Sequence, residues 1–232
     1  QKSCHDLDII SWLAGRPCRW ISSFGSLQHF DAAHAPEGAP DNCMKGCPHS
    51  EACPYYAPKI YLTGETEWPV DVLTTDLTEE GIRKALEEGP YGRCVYHCDN
   101  DVVDHQVVNM EYEGGVTASF TMTAFTARIN RELKIMGTRG QITADMNARK
   151  IVLERFGQEA REIPYEEEGW DQFGHGGGDF GIVKNFLELL EGTGDNRTSA
   201  RASLQSHLMC FAAEKSRLEH RMISMEEMEK LS

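Results

Sequence analysis

Three short stretches of this chain hold side chains able to do chemistry. His5-Asp6-Leu7-Asp8 sets an imidazole beside two carboxylates at the head of an apolar helical pattern. An imidazole in such company can take up or release a proton near neutral pH, and the N-terminus of a helix favours the nearby anions. The string also suits plainer roles, with Asp8 as a helix cap and His5 as a surface residue. Cys43, Cys47, His49 and Cys53 bring four nitrogen or sulfur donors within eleven residues, enough for tetrahedral zinc. Their C-x3-C-x5-C spacing matches no common zinc pattern, and reduced structural thiols fit it as well. Gly176-Gly177-Gly178-Asp179-Phe180-Gly181 spells G-x-G-x-x-G. A dinucleotide fingerprint needs an apolar strand just before it and an acid about 20 residues beyond. Here Glu166-Glu167-Glu168-Gly169-Trp170-Asp171-Gln172 precedes it and Arg201 follows at that distance. The string therefore reads as a glycine loop, with Asp179 capping the next helix and His175 beside it, in reach of a ligand or simply an exposed loop histidine.

The elements that must position these residues follow from periodicity. Asp8 to Ala14 has apolar residues at helical spacing, and Gly15 and Pro17 stop it. Arg19 to Phe30 alternates like a strand. Residues 31–58 have no sustained period and form a long loop, of the length that is commonly functional or metal-stapled. Residues 76–88, from Asp76-Leu77-Thr78-Glu79-Glu80, read as a helix that opens with capping residues and acids. From Cys94 to Ile163 the period falls to two, with turns at Gly114-Gly115 and at Gly137-Thr138-Arg139-Gly140. Two helices, Asp179–Leu190 and about Thr198–Arg217, precede a short tail. The order predicts an α+β fold with an open, mainly antiparallel sheet and helices packed on one face.

Composition narrows the function. In 232 residues, 23 Lys and Arg stand against 37 Asp and Glu, a net charge of −14, which argues against a nucleic-acid partner. No stretch reaches the ~18 apolar residues of a membrane span, and no signal peptide stands at the start. Eight cysteines without an export signal fit a reducing cytoplasm. The abrupt start at Gln1-Lys2-Ser3 reads as an internal point of a longer polypeptide.

Lys2-Ser3-Cys4-His5-Asp6-Leu7-Asp8-Ile9-Ile10-Ser11-Trp12-Leu13 resembles the start of the C-terminal domain of the Gfo/Idh/MocA oxidoreductases. Lys134-Ile135-Met136-Gly137-Thr138-Arg139-Gly140 is similar to the family's x-I-x-G-x-x-G sheet strand. Phe186–Gly192 and Cys210–Ser216 resemble its two closing helices. The resemblance runs over nearly the whole chain in the family's order. It implies residues 1–232 as the substrate-binding and oligomerisation domain of a two-domain dehydrogenase, whose N-terminal Rossmann domain lies before Gln1. That absent half would bind NAD or NADP and carry the catalytic lysine.

The resemblance further implies a sugar or polyol substrate and hydride transfer at a secondary alcohol, with His5 at the position of the family's acid/base. Gln1 stands where the family usually has an acid, and Lys2 is the partial substitute. Asp8 matches the second acid of the H-x-x-D pattern. Asp6, Asp8, Asn109 and His175 are the candidate hydrogen-bond partners of a polyol. A homo-oligomer through the open sheet face is implied too, and the chain by itself should not turn over. Two rival readings differ in class. One is a self-standing module that dimerises or holds a partner. The other is a small metal-binding domain organised by Cys43, Cys47, His49 and Cys53.

Overall fold

The computed structural model describes residues 2–164, 175–196 and 199–230. Gln1, the acidic stretch before the glycine loop and Thr198 lie outside them. The elements run α1 (Cys4–Ala14), β1 (Cys18–Ser26), α2 (Ala57–Tyr61), α3 (Glu79–Glu88), β2 (His105–Tyr112), β3 (Thr117–Thr123), β4 (Glu132–Gly137), β5 (Gly140–Asp145), β6 (Lys150–Arg155), β7 (Arg161–Ile163), α4 (Gly178–Leu190), α5 (Ala200–Glu219), β8 (Ile223–Ser224) and α6 (Met225–Glu229). The class is α+β with open antiparallel sheets. The strands divide between two four-stranded sheets, ordered β3-β2-β1-β8 and β4-β5-β6-β7. The chain forms two compact units. One combines the segment up to Gly15 with Thr126–Phe211, and the other combines Arg16–Phe125 with the segment from Ala212 onward.

In the second unit, β2 alternates strictly. Val108, Met110 and Tyr112 are buried while Val107, Asn109 and Glu111 face outward, as a half-buried strand requires. The register sets Ile21 opposite both Met110 and Ile223. The later part of α5 contributes buried Ala212, Ala213 and Ser216. The Ser23 amide donates to Ser216 Oγ at 2.9 Å, and that hydroxyl donates to the Arg221 carbonyl at 2.6 Å. The tail after residue 222 is ordered as β8 and α6 because Ile223 completes the sheet edge and Met225 and Met228 bury.

Between β1 and β2 the chain leaves the sheet and builds a small core of its own from Cys43, Ala57, Val70, Ile82 and Leu86. Ile82 and Leu86 lie one turn apart on α3, whose start is capped by Thr78 accepting from the Gly81 amide. The long loop is pinned by a single antiparallel bridge, Asn42 opposite Arg93. The buried Asn42 amide donates to the Leu86 carbonyl at 3.0 Å, and its oxygen accepts from the Met44 amide at 2.8 Å. Gly92 is required there, since a Cβ would run into the Leu86 carbonyl.

In the first unit, α1 ends where Gly15 turns left-handed at φ 62°, as a helix C-terminus favours. Helix α4 starts one residue earlier than the sequence suggests. Gly177, at φ 88°, is its N-cap, and Asp179 makes no capping bond.

The two faces of the first sheet make distinct demands. Ile21→Ala should lower the unfolding free energy by about 2–5 kcal/mol. Asn109→Ala, on the outward face, should stay within about 0.5 kcal/mol. Urea denaturation of the two variants checks the contrast, and equal losses would contradict it.

Candidate functional site

Helix α1 has two sides. Cys4 and Leu7 are buried, and Ser11 Oγ donates to Met209 Sδ at 3.3 Å. His5, Asp8 and Trp12, at helical spacing, form the opposite and exposed stripe. Lys2, just before the helix, is exposed, and its carbonyl accepts from the His5 amide at 3.3 Å. Asp6 points elsewhere, into an ion pair with Arg131 at 2.5 Å. An imidazole, a carboxylate and a flat indole on one face can together hold a polyhydroxylated ring and move a proton. Trp12 escaped the sequence reading as a site residue, although its i+4 spacing from Asp8 was the available signal.

The other candidates are scattered. Asn109 belongs to the second unit, on the outward face of its sheet between Ser22 and Ser119. His175, at φ 57°, turns its Nδ1 to the Asp179 carboxylate at 2.9 and 3.1 Å. Asp179 therefore steadies the histidine instead of capping the helix.

A second cluster centres on Asp104, whose side chain is buried. Its Oδ2 accepts the amides of Gln28 and His29 at 2.8 and 2.7 Å, and its Oδ1 takes His105 Nδ1 at 2.8 Å. Burial would raise this carboxyl. The His105 bond and the amides of His29, Gln28 and Phe30 outweigh burial and hold it at about 2. His29 in turn meets Tyr96 Oη through Nε2 at 3.2 Å, with the rings of Phe30, Tyr55 and Phe125 around it. The Asp104-His105 pair sits in Asp99-Asn100-Asp101-Val102-Val103-Asp104-His105, where only the tertiary contacts single it out from its acidic neighbours.

The cysteine loop closes on itself. Cys43, Cys47, His49 and Cys53 line one small cavity, joined by Cys94 from beyond α3. Burial pushes the thiols of Cys43 and Cys94 up, and the neighbouring thiols push the same way. The backbone amide of Ala57 at Cys43, and those of Tyr96 and His97 at Cys94, act in the opposite direction.

The segment in which a dinucleotide fingerprint would need its strand, residues 165–174, lies outside the described residues. Among the described residues every strand pairing is antiparallel. No helix of the described residues is long and apolar enough to cross a membrane.

Residues 1–225 match the family model described as the oxidoreductase family, C-terminal alpha/beta domain, of the Gfo/Idh/MocA proteins. The chain belongs to the Gfo/Idh/MocA oxidoreductase family. It is 22% identical over 152 residues to the oxidoreductase YteT of Bacillus subtilis (strain 168), covering 62% of this chain and 33% of that protein. Its fold is shared with an oxidoreductase domain protein from Kribbella flavida at a TM-score of 0.59 and 16% identity, over 96% of this chain and 48% of the other. A levoglucosan dehydrogenase in complex with NADH and L-sorbose is similar at a TM-score of 0.56 and 14% identity, over 98% and 50%. The chain thus spans about a third of that relative's length and about half of each solved structure.

Asp104 generates a signed pH dependence. Its folded carboxyl lies below its ordinary 3.8, so its contribution is present above that value and is lost as pH falls through about 2. Asp104→Asn should cost about 1–3 kcal/mol at neutral pH and flatten stability between pH 4 and pH 2. Denaturation across that range checks both, and an unchanged acid limb would refute the assignment.

Proposed function

We propose that this chain is the substrate-binding and oligomerisation half of an NAD(P)-dependent oxidoreductase that acts on a sugar or polyol. The observation that carries this reading is the exposed His5, Asp8 and Trp12 stripe on α1 in a chain of this family. Oxidation of a secondary alcohol removes a hydride from carbon and a proton from oxygen. This chain's own residues bear on the proton and on the grip of the ring. His5, one turn from Asp8, is the acceptor of the hydroxyl proton, and it returns the proton to a carbonyl oxygen in the reverse direction. Asp8 accepts hydrogen bonds from neighbouring hydroxyls, and Lys2 donates to the reacting oxygen in place of the acid that Gln1 replaces. Trp12, 77% exposed, offers its indole to an apolar sugar face. His175, in the same unit as α1, is the remaining candidate hydroxyl partner.

The nicotinamide cofactor, NAD or NADP, is held by an N-terminal Rossmann domain that precedes this one, and the site belongs to the joined polypeptide in the cytoplasm. Support comes from the coverage of about half of each similar structure. The similar levoglucosan dehydrogenase, complexed with NADH and L-sorbose, points to the substrate class. The outward face of the first sheet is offered as the oligomer contact. Its exposed apolar side chains, Phe24 opposite Val107, are what a second copy would cover.

Two experiments test this. In the full-length enzyme, His5→Ala should lower kcat by about 10²–10⁴-fold with little change in cofactor affinity. An unchanged kcat would remove His5 from its role. Calorimetric titration of NADH and NADPH into the 232-residue chain should show no saturable binding. A micromolar Kd would overturn the division of labour between the domains.

A further inference from the structure

The cysteine loop is independent of that chemistry, and it presents four thiols that the proposed reaction does not use. We propose that Cys43, Cys47, Cys53 and Cys94 together bind one zinc ion. All four line a single cavity and all are unbridged thiols. Its volume, about 10 Å³, is that of one water-sized occupant. Three of the sulfurs come from the stretch 43–53 and the fourth from Cys94 beyond α3, and the fold brings both to that point.

The Asn42–Arg93 bridge fixes the first pair. The Cys43 amide donates to the Gly92 carbonyl at 2.7 Å and the Cys94 amide to the Asp41 carbonyl at 2.8 Å. Cys43 and Cys94 are therefore diagonal neighbours on one face of the pairing. Two tight turns supply the other pair, with the Ser50 amide bonded to the Cys47 carbonyl at 3.3 Å and the Cys53 amide to the His49 carbonyl at 2.8 Å.

As placed, no three His, Cys, Asp or Glu side chains among the described residues form a ready-made ligand set. Zinc binding would draw these four thiols, which line the same void, closer together, and rotation about χ1 is the freedom each cysteine has for it. Zinc with four thiolates at about 2.3 Å is tetrahedral and closed, a structural site. Binding balances as Zn²⁺ plus four R–SH giving a tetrathiolate zincate of charge −2 and four protons released to solvent, with no redox change.

His49 also lines the cavity, but its Nε2 is engaged by the Glu37 carbonyl at 2.7 Å, and four sulfurs complete the tetrahedron without it. The remaining thiols have other partners or lie elsewhere. Cys98 donates to the Cys94 carbonyl and Cys18 to the Trp20 carbonyl, while Cys4 and Cys210 belong to the other unit. A zinc ion also answers a structural need. The loop 35–56 has neither an α-helix nor a strand of its own, and so long a stretch of irregular chain calls for a cross-link.

The test uses the whole chain, produced with added zinc, purified with reductant and dialysed against metal-free buffer. Elemental analysis should give about one zinc per chain. Cys53→Ser and Cys94→Ser should lose it, while His49→Ala and Cys98→Ser should keep it. No bound zinc, zinc retained by Cys94→Ser, zinc lost from His49→Ala, iron with labile sulfide, or an intact mass showing disulfides would each overturn the proposal. Because a cysteine variant can fail to fold, cobalt(II) exchange into the unmutated chain supplies an independent readout. Thiolate-to-cobalt charge-transfer bands with tetrahedral d–d absorption are expected, and a folded chain without them would refute the site. None of these readouts depends on turnover, so they stand or fall apart from the oxidoreductase reading.

Discussion

A carboxylate taken out of water must be surrounded by donors, and the first sheet is organised around one that is. Asp104 receives two amides from the chain just past β1 and the imidazole that opens β2. Its own amide donates to the Ser26 carbonyl, and its carbonyl accepts from Ala124 at the end of β3. One residue thereby ties together the same ends of three strands. Removing any of these donors would leave a buried charge under-satisfied, which makes this end of the sheet a fixed point. From that point the chain departs through His29 into the cysteine loop, and to it the chain returns through Tyr96.

What could be read from the residues alone tracks the range of the interactions. Helix α3 was legible because its determinants are local: Thr78 as cap, Glu79 and Glu80 in the first turn, and Ile82 and Leu86 one turn apart. The hairpin around Gly114 and Gly115 was legible for the same reason, as was the stop of α1 at Gly15. The position of His5 also emerged, since a helix start and its flanking acids lie within a few residues. Cys94 could not be read as a companion of Cys43. Fifty-one positions separate them in the numbering, and only the Asn42–Arg93 bridge brings them together. Asp104 looked like one acid among several because its partners come from the far end of β1. The expectation that Asp179 caps α4 failed by a small local margin, as Gly177 took the left-handed turn and released the carboxylate to His175. The strand at Ile223 hid in a short polar tail because its partner, Ile21, lies some two hundred residues earlier.

The two units divide the chemistry that the side chains can do. In one, α1 presents an imidazole, a carboxylate and an indole to solvent, with its buried side held by Leu7 and by Ser11 on Met209. In the other, thiols and aromatic rings turn inward around a void and around His29. A stripe that faces out suits a transient ligand, whereas a closed nest of sulfurs suits a permanent one. The first arrangement lies on α1, and the second lies between β1 and β2.

The crowding at residue 92 has a consequence in the language of the gene. Every glycine codon has the form GGN, and every single-base change that alters the amino acid puts a side chain with a Cβ in its place or ends the chain. At Gly92 that atom has nowhere to go but into the Leu86 carbonyl. Drift at this codon is therefore confined to its silent third base, unless a compensating change loosens the end of α3 first.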